Sequence, residues 1–128
     1  MIIHVSPAEG KPIYRQIVEQ MKYCIASGRL ASGDEVPPIR VLAEQLLINP
    51  NTVARAYREL ETEGLLTKRQ GAGTYVSGDG SPLAEVQRRK ILEERVDALL
   101  AEARQLDVDL GTLSKMIQER NERMEDKS

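Results

Sequence analysis

The chain has 128 residues and a net charge of −2, and it contains neither Trp nor Phe. This length allows one domain of ordinary size, or a small domain with an appendage. The single cysteine excludes an intrachain disulfide and indicates a reducing compartment. No apolar run approaches the roughly 18 residues that a membrane span requires, so we expect a cytoplasmic protein without membrane contact.

The small negative charge does not exclude nucleic acid as a partner. Residues 1–80 hold nine Lys or Arg and nine Asp or Glu, whereas residues 81–128 hold nine and eleven. The acidic excess therefore lies in the second part of the chain. A neutral domain still binds DNA when its basic groups share one face, so the distribution of charge matters more than its total.

Three helices are predicted in the first half. The first spans about residues 12–27, where apolar residues recur at helical spacing. After a loop with a short extended piece near residues 35–36, the second helix spans about residues 39–47. The third covers about residues 49–64, because Asn-Pro is a favourable helix start and Gly a favourable stop. The terminus around His4 is expected to be mobile.

A β-hairpin is predicted after the third helix. Residues 65–69 read as one strand and residues 74–76, rich in β-formers, as its partner, and the turn between them contains Gly71 and Gly73. This order of elements predicts a mostly α fold with a small β-hairpin, of the α+β class. Residues 77–81, which are small and polar, are expected to form a hinge.

The remainder of the chain is predicted to be two helices. The first starts near residue 81 and repeats apolar residues at heptad spacing. This heptad seam consists of Leu92, Val96, Leu99, Ala103 and Leu106. The second helix is expected over residues 109–124, followed by a frayed end. The seam is expected to pack on a second copy of the chain, and an intrachain helical cap is the alternative.

The third helix presents polar residues on the face opposite its apolar stripe. At 100° per residue, Asn51, Arg55 and Arg58 lie on the outward side. An amide matches the edge of adenine, and a guanidinium matches guanine or a phosphate. Asn49 and Thr52 add short polar groups at the helix tip that suit a phosphate. A solvated helix face would favour the same residue types.

The residues of the hairpin favour DNA binding over a helix face that is only solvated. Lys68, Arg69 and Gln70 follow each other at its rising arm, beside Gly71. A hairpin that only closed a core would not need three long polar donors there, and glycine allows a close approach of the backbone to a duplex. Arg40, early in the second helix, adds a further basic group that could contact the DNA backbone.

The segment 33–76 resembles the winged helix-turn-helix of the GntR family of bacterial transcription regulators. Four pieces match the family pattern: VPPIRVLA, NTVARAYREL, EGLL and RQGAGTYV. The piece INPNTVARAY is most similar to the YtrA-type branch, which carries a tail of about two helices instead of a large effector domain. The resemblance implies a winged helix-turn-helix domain over residues 1–79 and a helical dimerisation or effector tail over residues 80–128.

The resemblance also implies a function. Members of this branch act mostly as repressors of operons for ABC transporters or cell-envelope functions, so we expect a homodimer on a palindromic operator in double-stranded DNA. The implied DNA contacts are Arg40, Asn49, Asn51, Thr52, Gln70 and Gly71, with Arg69 beside them. Pro50 and Ala54 stand where family members often have Arg, so the operator sequence does not carry over.

Other classes of function have weaker support. The sequence has no Ser/His/Asp set, no phosphate-binding Gly loop and no paired carboxylates, so we expect no enzyme and no cofactor. A metal site at His4 is not expected, because no Cys or His joins it. The sequence identifies no effector small molecule. The alternative function is a winged helix that contacts only proteins, for which an apolar outer face would be expected.

Overall fold

The computed structural model describes residues 3–78 and 83–127. The chain divides into two compact units, Met1–Arg89 and Lys90–Ser128. Within the described residues, no helix is long and apolar enough to cross a membrane. The predicted hinge lies mostly outside the described residues, as does the predicted start of the first tail helix.

Helix α1 spans Ile13–Ala26 and supplies one side of the core of the first unit. Its stripe of Ile17, Met21 and Ile25 is almost fully buried, as the spacing predicts. The sequence placed Pro12 inside the first turn, but Pro12 is the capping residue, and its carbonyl accepts the N–H groups of the next turn. Proline fits both positions, because neither of them requires a backbone N–H donor.

Helices α2, Ile39–Leu46, and α3, Pro50–Thr62, form the helix-turn-helix pair. The turn between them contains Leu47, which has a left-handed backbone with φ 56° and ψ 47°. The N–H of Ile48 donates to the carbonyl of Ala43 at 3.0 Å, which closes the end of α2. The two helices are thus joined by a turn of three residues, 47–49.

The sheet has three antiparallel strands in the order β1-β3-β2. Strand β1 is Glu35–Val36, β2 is Leu66–Arg69, and β3 is Gly73–Val76. The predicted hairpin is confirmed, with Lys68 opposite Thr74. The piece expected to be extended near residue 35 pairs with β3, which converts the hairpin into a small sheet.

The N-terminal segment packs against α1, so the expectation of a mobile terminus is wrong for residues 3–6. The side chain of Ile3 is buried in the core. The side chain of Gln16 is also buried, and it exchanges hydrogen bonds with both the N–H and the carbonyl of Ser6. A short 3-10 helix, Pro7–Glu9, follows. A buried glutamine whose polar atoms are satisfied fixes this segment against α1.

The second unit consists of most of α4, Leu83–Gln105, and of α5, Leu110–Asp126. Asp109 caps α5, because its Oδ1 accepts the N–H of Thr112 at 2.8 Å. This hydrogen bond lowers the pKa of Asp109 below its usual range. The helix continues through Asp126, two residues beyond the predicted end.

Candidate nucleic-acid interface

The tip of α3 is fixed by its own side chains. Asn49 has an extended backbone, and its Oδ1 accepts the N–H of Asn51 at 2.8 Å. Pro50 occupies the first helical position, where no N–H partner is needed. The cap uses the side-chain oxygen of Asn49 and leaves the side-chain nitrogen, Nδ2, as a donor at the helix tip.

The outward face of α3 consists of polar side chains. Asn51, Arg55 and Arg58 are exposed, and Thr52 is half-buried. The opposite face is almost completely buried and consists of Val53, Ala56, Tyr57 and Leu60. The division into two faces that the helical spacing predicts is present in the structure. It leaves an amide and two guanidiniums on the solvent side of one helix.

Tyr57 anchors α3 to the chain segment before α2. Its hydroxyl donates to the carbonyl oxygen of Pro37 at 2.6 Å. Burial raises the pKa of Tyr57 well above its ordinary value, because an ionised phenolate would lose hydration there. The hydrogen bond satisfies the one polar atom of an otherwise apolar helix face.

The wing tip is a tight turn between β2 and β3. The N–H of Ala72 donates to the carbonyl of Arg69 at 3.0 Å, and Gly71 and Gly73 have φ of 76° and 100°. A Cβ on Gly73 would lie 2.8 Å from a carboxylate oxygen of Glu35 on the neighbouring strand. The exposed Glu35 side chain can move away, so the wing requires glycine at this position for its backbone conformation.

The predicted basic residues of the wing do not share one face. Lys68 and Arg69 are adjacent in β2, so their side chains leave opposite faces of the sheet. Lys68 shares its face with the buried Leu66, although Lys68 itself is exposed. Gln70 and Gly71 are exposed in the turn itself. The wing thus offers Arg69 and Lys68 in two directions rather than as one cluster.

Three ion pairs of the first unit use other residues. Lys11 pairs with Glu19 at 3.0 Å. Arg15 pairs with Glu59, and Lys22 pairs with Glu63, both at 2.9 Å. None of the ion pairs found among the described residues involves a basic candidate for DNA contact. Those candidates are Arg40, which is exposed at the second position of α2, and Arg55, Arg58, Lys68 and Arg69.

Two of the candidate arginines lie on tyrosine rings instead. The guanidinium carbon of Arg55 is 3.7 Å from the ring centre of Tyr14 on α1. The corresponding distance from Arg69 to the ring of Tyr75 on β3 is 4.3 Å. Both distances are in the range of cation–π contacts. The sequence gives little signal for these contacts beyond the scarcity of tyrosine, since the chain has four.

The wing tyrosine is itself held in place. The hydroxyl of Tyr75 donates to the carbonyl oxygen of Ala72 in the turn at 2.7 Å. The ring therefore links the turn to the side chain of Arg69.

Over residues 3–78 and 83–127, no group of three or more His, Cys, Asp or Glu is placed to hold a metal ion.

The family model described as bacterial regulatory proteins, gntR family, matches residues 13–76, which is half of the chain. The chain belongs to the GntR family. It is 36% identical over 118 residues to the HTH-type transcriptional repressor YtrA of Bacillus subtilis (strain 168). That alignment covers 92% of this chain and 91% of YtrA, which places the chain in the YtrA-type branch.

Solved structures show the same fold. A GntR family transcriptional regulator from Listeria monocytogenes aligns with a TM-score of 0.79 and 29% identity, over 87% of this chain and 96% of that one. The DNA-binding domain of AraR in complex with operator ORX1 aligns with a TM-score of 0.53 and 26% identity, over 60% and 95%. The chain is a GntR-type DNA-binding transcriptional regulator and not an enzyme.

Proposed function

We propose that the protein is a sequence-specific repressor that binds a palindromic operator as a homodimer. The outward face of α3 reads base edges, and the wing contacts the neighbouring backbone. We assign the base or phosphate contacts to Asn49, Asn51, Thr52, Arg55 and Arg58 on α3, to Lys68, Arg69, Gln70 and Gly71 on the wing, and to Arg40 on α2. The similarity to the repressor YtrA supports the sign of regulation.

The distribution of charge in the first unit is the observation that carries this proposal. Its ion pairs join α1 to its own neighbours and to the far end of α3, and they leave the guanidiniums of Arg55 and Arg58 outside. Phosphate binding requires cations that are exposed and not already neutralised. Residues 1–80, with equal numbers of acidic and basic residues, can provide them only through such a separation.

The apolar seam of α4 supports the homodimer. Leu92, Val96 and Leu99 are 59%, 51% and 42% exposed, although they are large apolar residues. A second copy that covers them would remove this surface from water, and two-fold dimers are the commonest assembly. A dimer would read two half-sites about one helical turn apart. We therefore retain the functional division into a DNA-binding domain, residues 1–79, and a dimerisation or effector tail, residues 80–128.

The resemblance to the YtrA-type branch supports a target among operons for ABC transporters or cell-envelope functions. We place this activity in the cytoplasm, in agreement with the single buried cysteine. The test begins with the wild-type chain and a random-sequence duplex library, from which repeated selection should yield a palindromic consensus. The promoter of the protein's own operon is then compared with that consensus.

Gel-shift titration of variants tests the assigned surface. Arg55→Ala and Arg69→Ala should weaken binding to the selected duplex, with the helical content retained. Each lost phosphate contact should lower the slope of log K against log salt by about 0.9. Arg29→Ala is the matched control, because Arg29 is also exposed but lies in the loop after α1. Unchanged affinity in both α3 and wing variants would remove the proposed surface.

Sedimentation of two tail variants tests the dimer. Leu99→Arg should produce monomers, because it places a charge in the seam. Ala101→Arg adds the same charge on the opposite side of α4 and should remain dimeric. A Leu99→Arg protein that sediments as a dimer would contradict the assigned role of the seam and would favour the intrachain alternative.

A winged helix that binds only proteins is the second candidate function. The outward face of α3 argues against it, because Asn51, Thr52, Arg55 and Arg58 give that face no aromatic or apolar side chain of the kind that fills the core of a protein interface. Failure of the selection to enrich any duplex, together with binding that does not depend on salt, would favour this alternative.

A further inference from the structure

We infer that Tyr14 is a positioning residue for DNA recognition: its ring holds the guanidinium of Arg55 in place and leaves the charge of Arg55 available. This inference rests on the proposed function. Tyr14 lies in the first turn of α1, outside the helix-turn-helix and the wing. It is therefore not one of the residues that α3 or the hairpin would suggest.

The ring of Tyr14 is a fixed platform. Tyr14 is half-buried, and it packs against the hydrophobic core of the first unit. The guanidinium carbon of Arg55, one of the exposed residues of α3, lies 3.7 Å from the ring centre. A guanidinium stacked on an aromatic face keeps the N–H donors at its edge free for a carboxylate, phosphate or base.

A second arginine near the same ring shows how a carboxylate, instead of the ring, would hold the side chain. Arg15 lies 5.2 Å from the ring centre of Tyr14, but it is held by Glu59 at 2.9 Å. A carboxylate fixes an arginine and cancels its charge, whereas a tyrosine ring fixes it without a formal negative charge. Arg55 is in none of the ion pairs found among the described residues, so its positive charge stays available for DNA.

Holding Arg55 in advance reduces the loss of side-chain freedom on binding. An exposed arginine has several rotatable bonds, and ordering them weakens a DNA contact. Without the ring, the Arg55 side chain must be ordered during binding, which should weaken binding by about two- to fivefold per half-site. The charges that determine the salt dependence remain present when only the ring is removed.

The experiment measures binding of the full chain to the duplex selected by the wild-type protein and to a shuffled duplex of equal length. Tyr14→Leu removes the ring, Tyr14→Met is a second aliphatic replacement, and Tyr14→Phe keeps the ring without the hydroxyl. Each change is made in the wild-type background and with Arg55→Ala. Thermal melting checks that each variant is folded at the assay temperature.

The expected result is a specific coupling. The aliphatic variants should lose about two- to fivefold per half-site with an unchanged salt slope, and they should lose nothing further when Arg55 is already Ala. Tyr14→Phe should bind like the wild type. Arg15→Gln, which perturbs the other arginine near the ring, should change stability without changing affinity.

Three results would overturn the inference. Equal losses with and without Arg55 would show that Tyr14 acts through general stability. A loss in Tyr14→Phe as large as in Tyr14→Leu would show that the hydroxyl, rather than the ring, is responsible. Wild-type affinity in folded Tyr14→Leu or Tyr14→Met would exclude any role. If the wild-type chain selects no duplex, the proposed function itself is wrong. If it selects a duplex and one of the three results above is found, only the role of Tyr14 is wrong.

Discussion

The left-handed backbone at Leu47 predicts that this position is strained in the wild-type protein. Its φ of 56° and ψ of 47° place an L-residue where the Cβ approaches a carbonyl oxygen, at a cost of about 1–2 kcal/mol. The side chain is 91% exposed. If full burial of a leucine contributes about 1.5–3 kcal/mol, the remaining tenth contributes only about 0.2 kcal/mol.

Replacement of Leu47 should therefore stabilise the protein. Asn enters the left-handed region several-fold more readily than other residues, so Leu47→Asn should raise the free energy of unfolding by about 1 kcal/mol. Leu47→Gly removes the strain but costs about 0.5–1 kcal/mol of backbone entropy, so its gain should be smaller. Leu47→Ala is the control, because it removes the side chain and retains the strain.

Urea unfolding followed by circular dichroism measures these differences, and a gain of 1 kcal/mol should raise Tm by about 4–8 °C for a unit of this size. Equal stabilisation by Ala and Asn would show that the exposed leucine, rather than the backbone, is the source. Destabilisation by Asn would show that Leu47 makes a favourable contact. Binding to the selected duplex should be unaffected, since the cap of α3 at Asn49 is unchanged.

Other substitutions test the anchors of the fold and the wing. Tyr57→Phe should cost about 1–2 kcal/mol by leaving a carbonyl without its donor, as measured by urea unfolding. Because burial raises the pKa of folded Tyr57, the unfolded state ionises first, and wild-type stability should fall as pH rises above about 10, more steeply than in Tyr57→Phe. Gly73→Ala should destabilise the protein by about 1–3 kcal/mol, and an added Glu35→Ala should restore space but not stability, because the positive φ remains. Tyr75→Leu should weaken DNA binding in gel shifts by about two- to fivefold through Arg69, with no further loss in Arg69→Ala.

Most of the elements that the sequence predicts follow from the spacing of apolar residues within a single helix or strand. The apolar stripes of α1 and α3 repeat at helical spacing, so their buried faces follow from the chain alone. Strand β1 is different, since its two residues become a strand only through pairing with β3, about 40 positions later. The burial of Ile3 likewise depends on packing into the core of the first unit, which no local periodicity reports.

The candidate site divides in the same way. The outward positions of Asn51 and Arg55 follow from 100° per residue, because a helix with one buried stripe has only one free side. The contact between Arg55 and Tyr14 does not, since it depends on how α1 and α3 cross. Alternation in β2 could have separated Lys68 from Arg69 in advance, because adjacent strand residues point to opposite faces.

The separation of charge explains how residues 1–80, which are neutral as a whole, can bind a polyanion. Each ion pair of α1 removes one acidic and one basic group from the long-range field without changing the net charge. The cations outside these ion pairs include Arg55 and Arg69, and each of these two guanidiniums lies on a tyrosine ring. If carboxylates held Arg55 and Arg69 instead, the side chains would be equally ordered, but each would bring a negative charge toward the phosphates. The Arg55 and Arg69 side chains are therefore held by two aromatic residues that leave their positive charge in place.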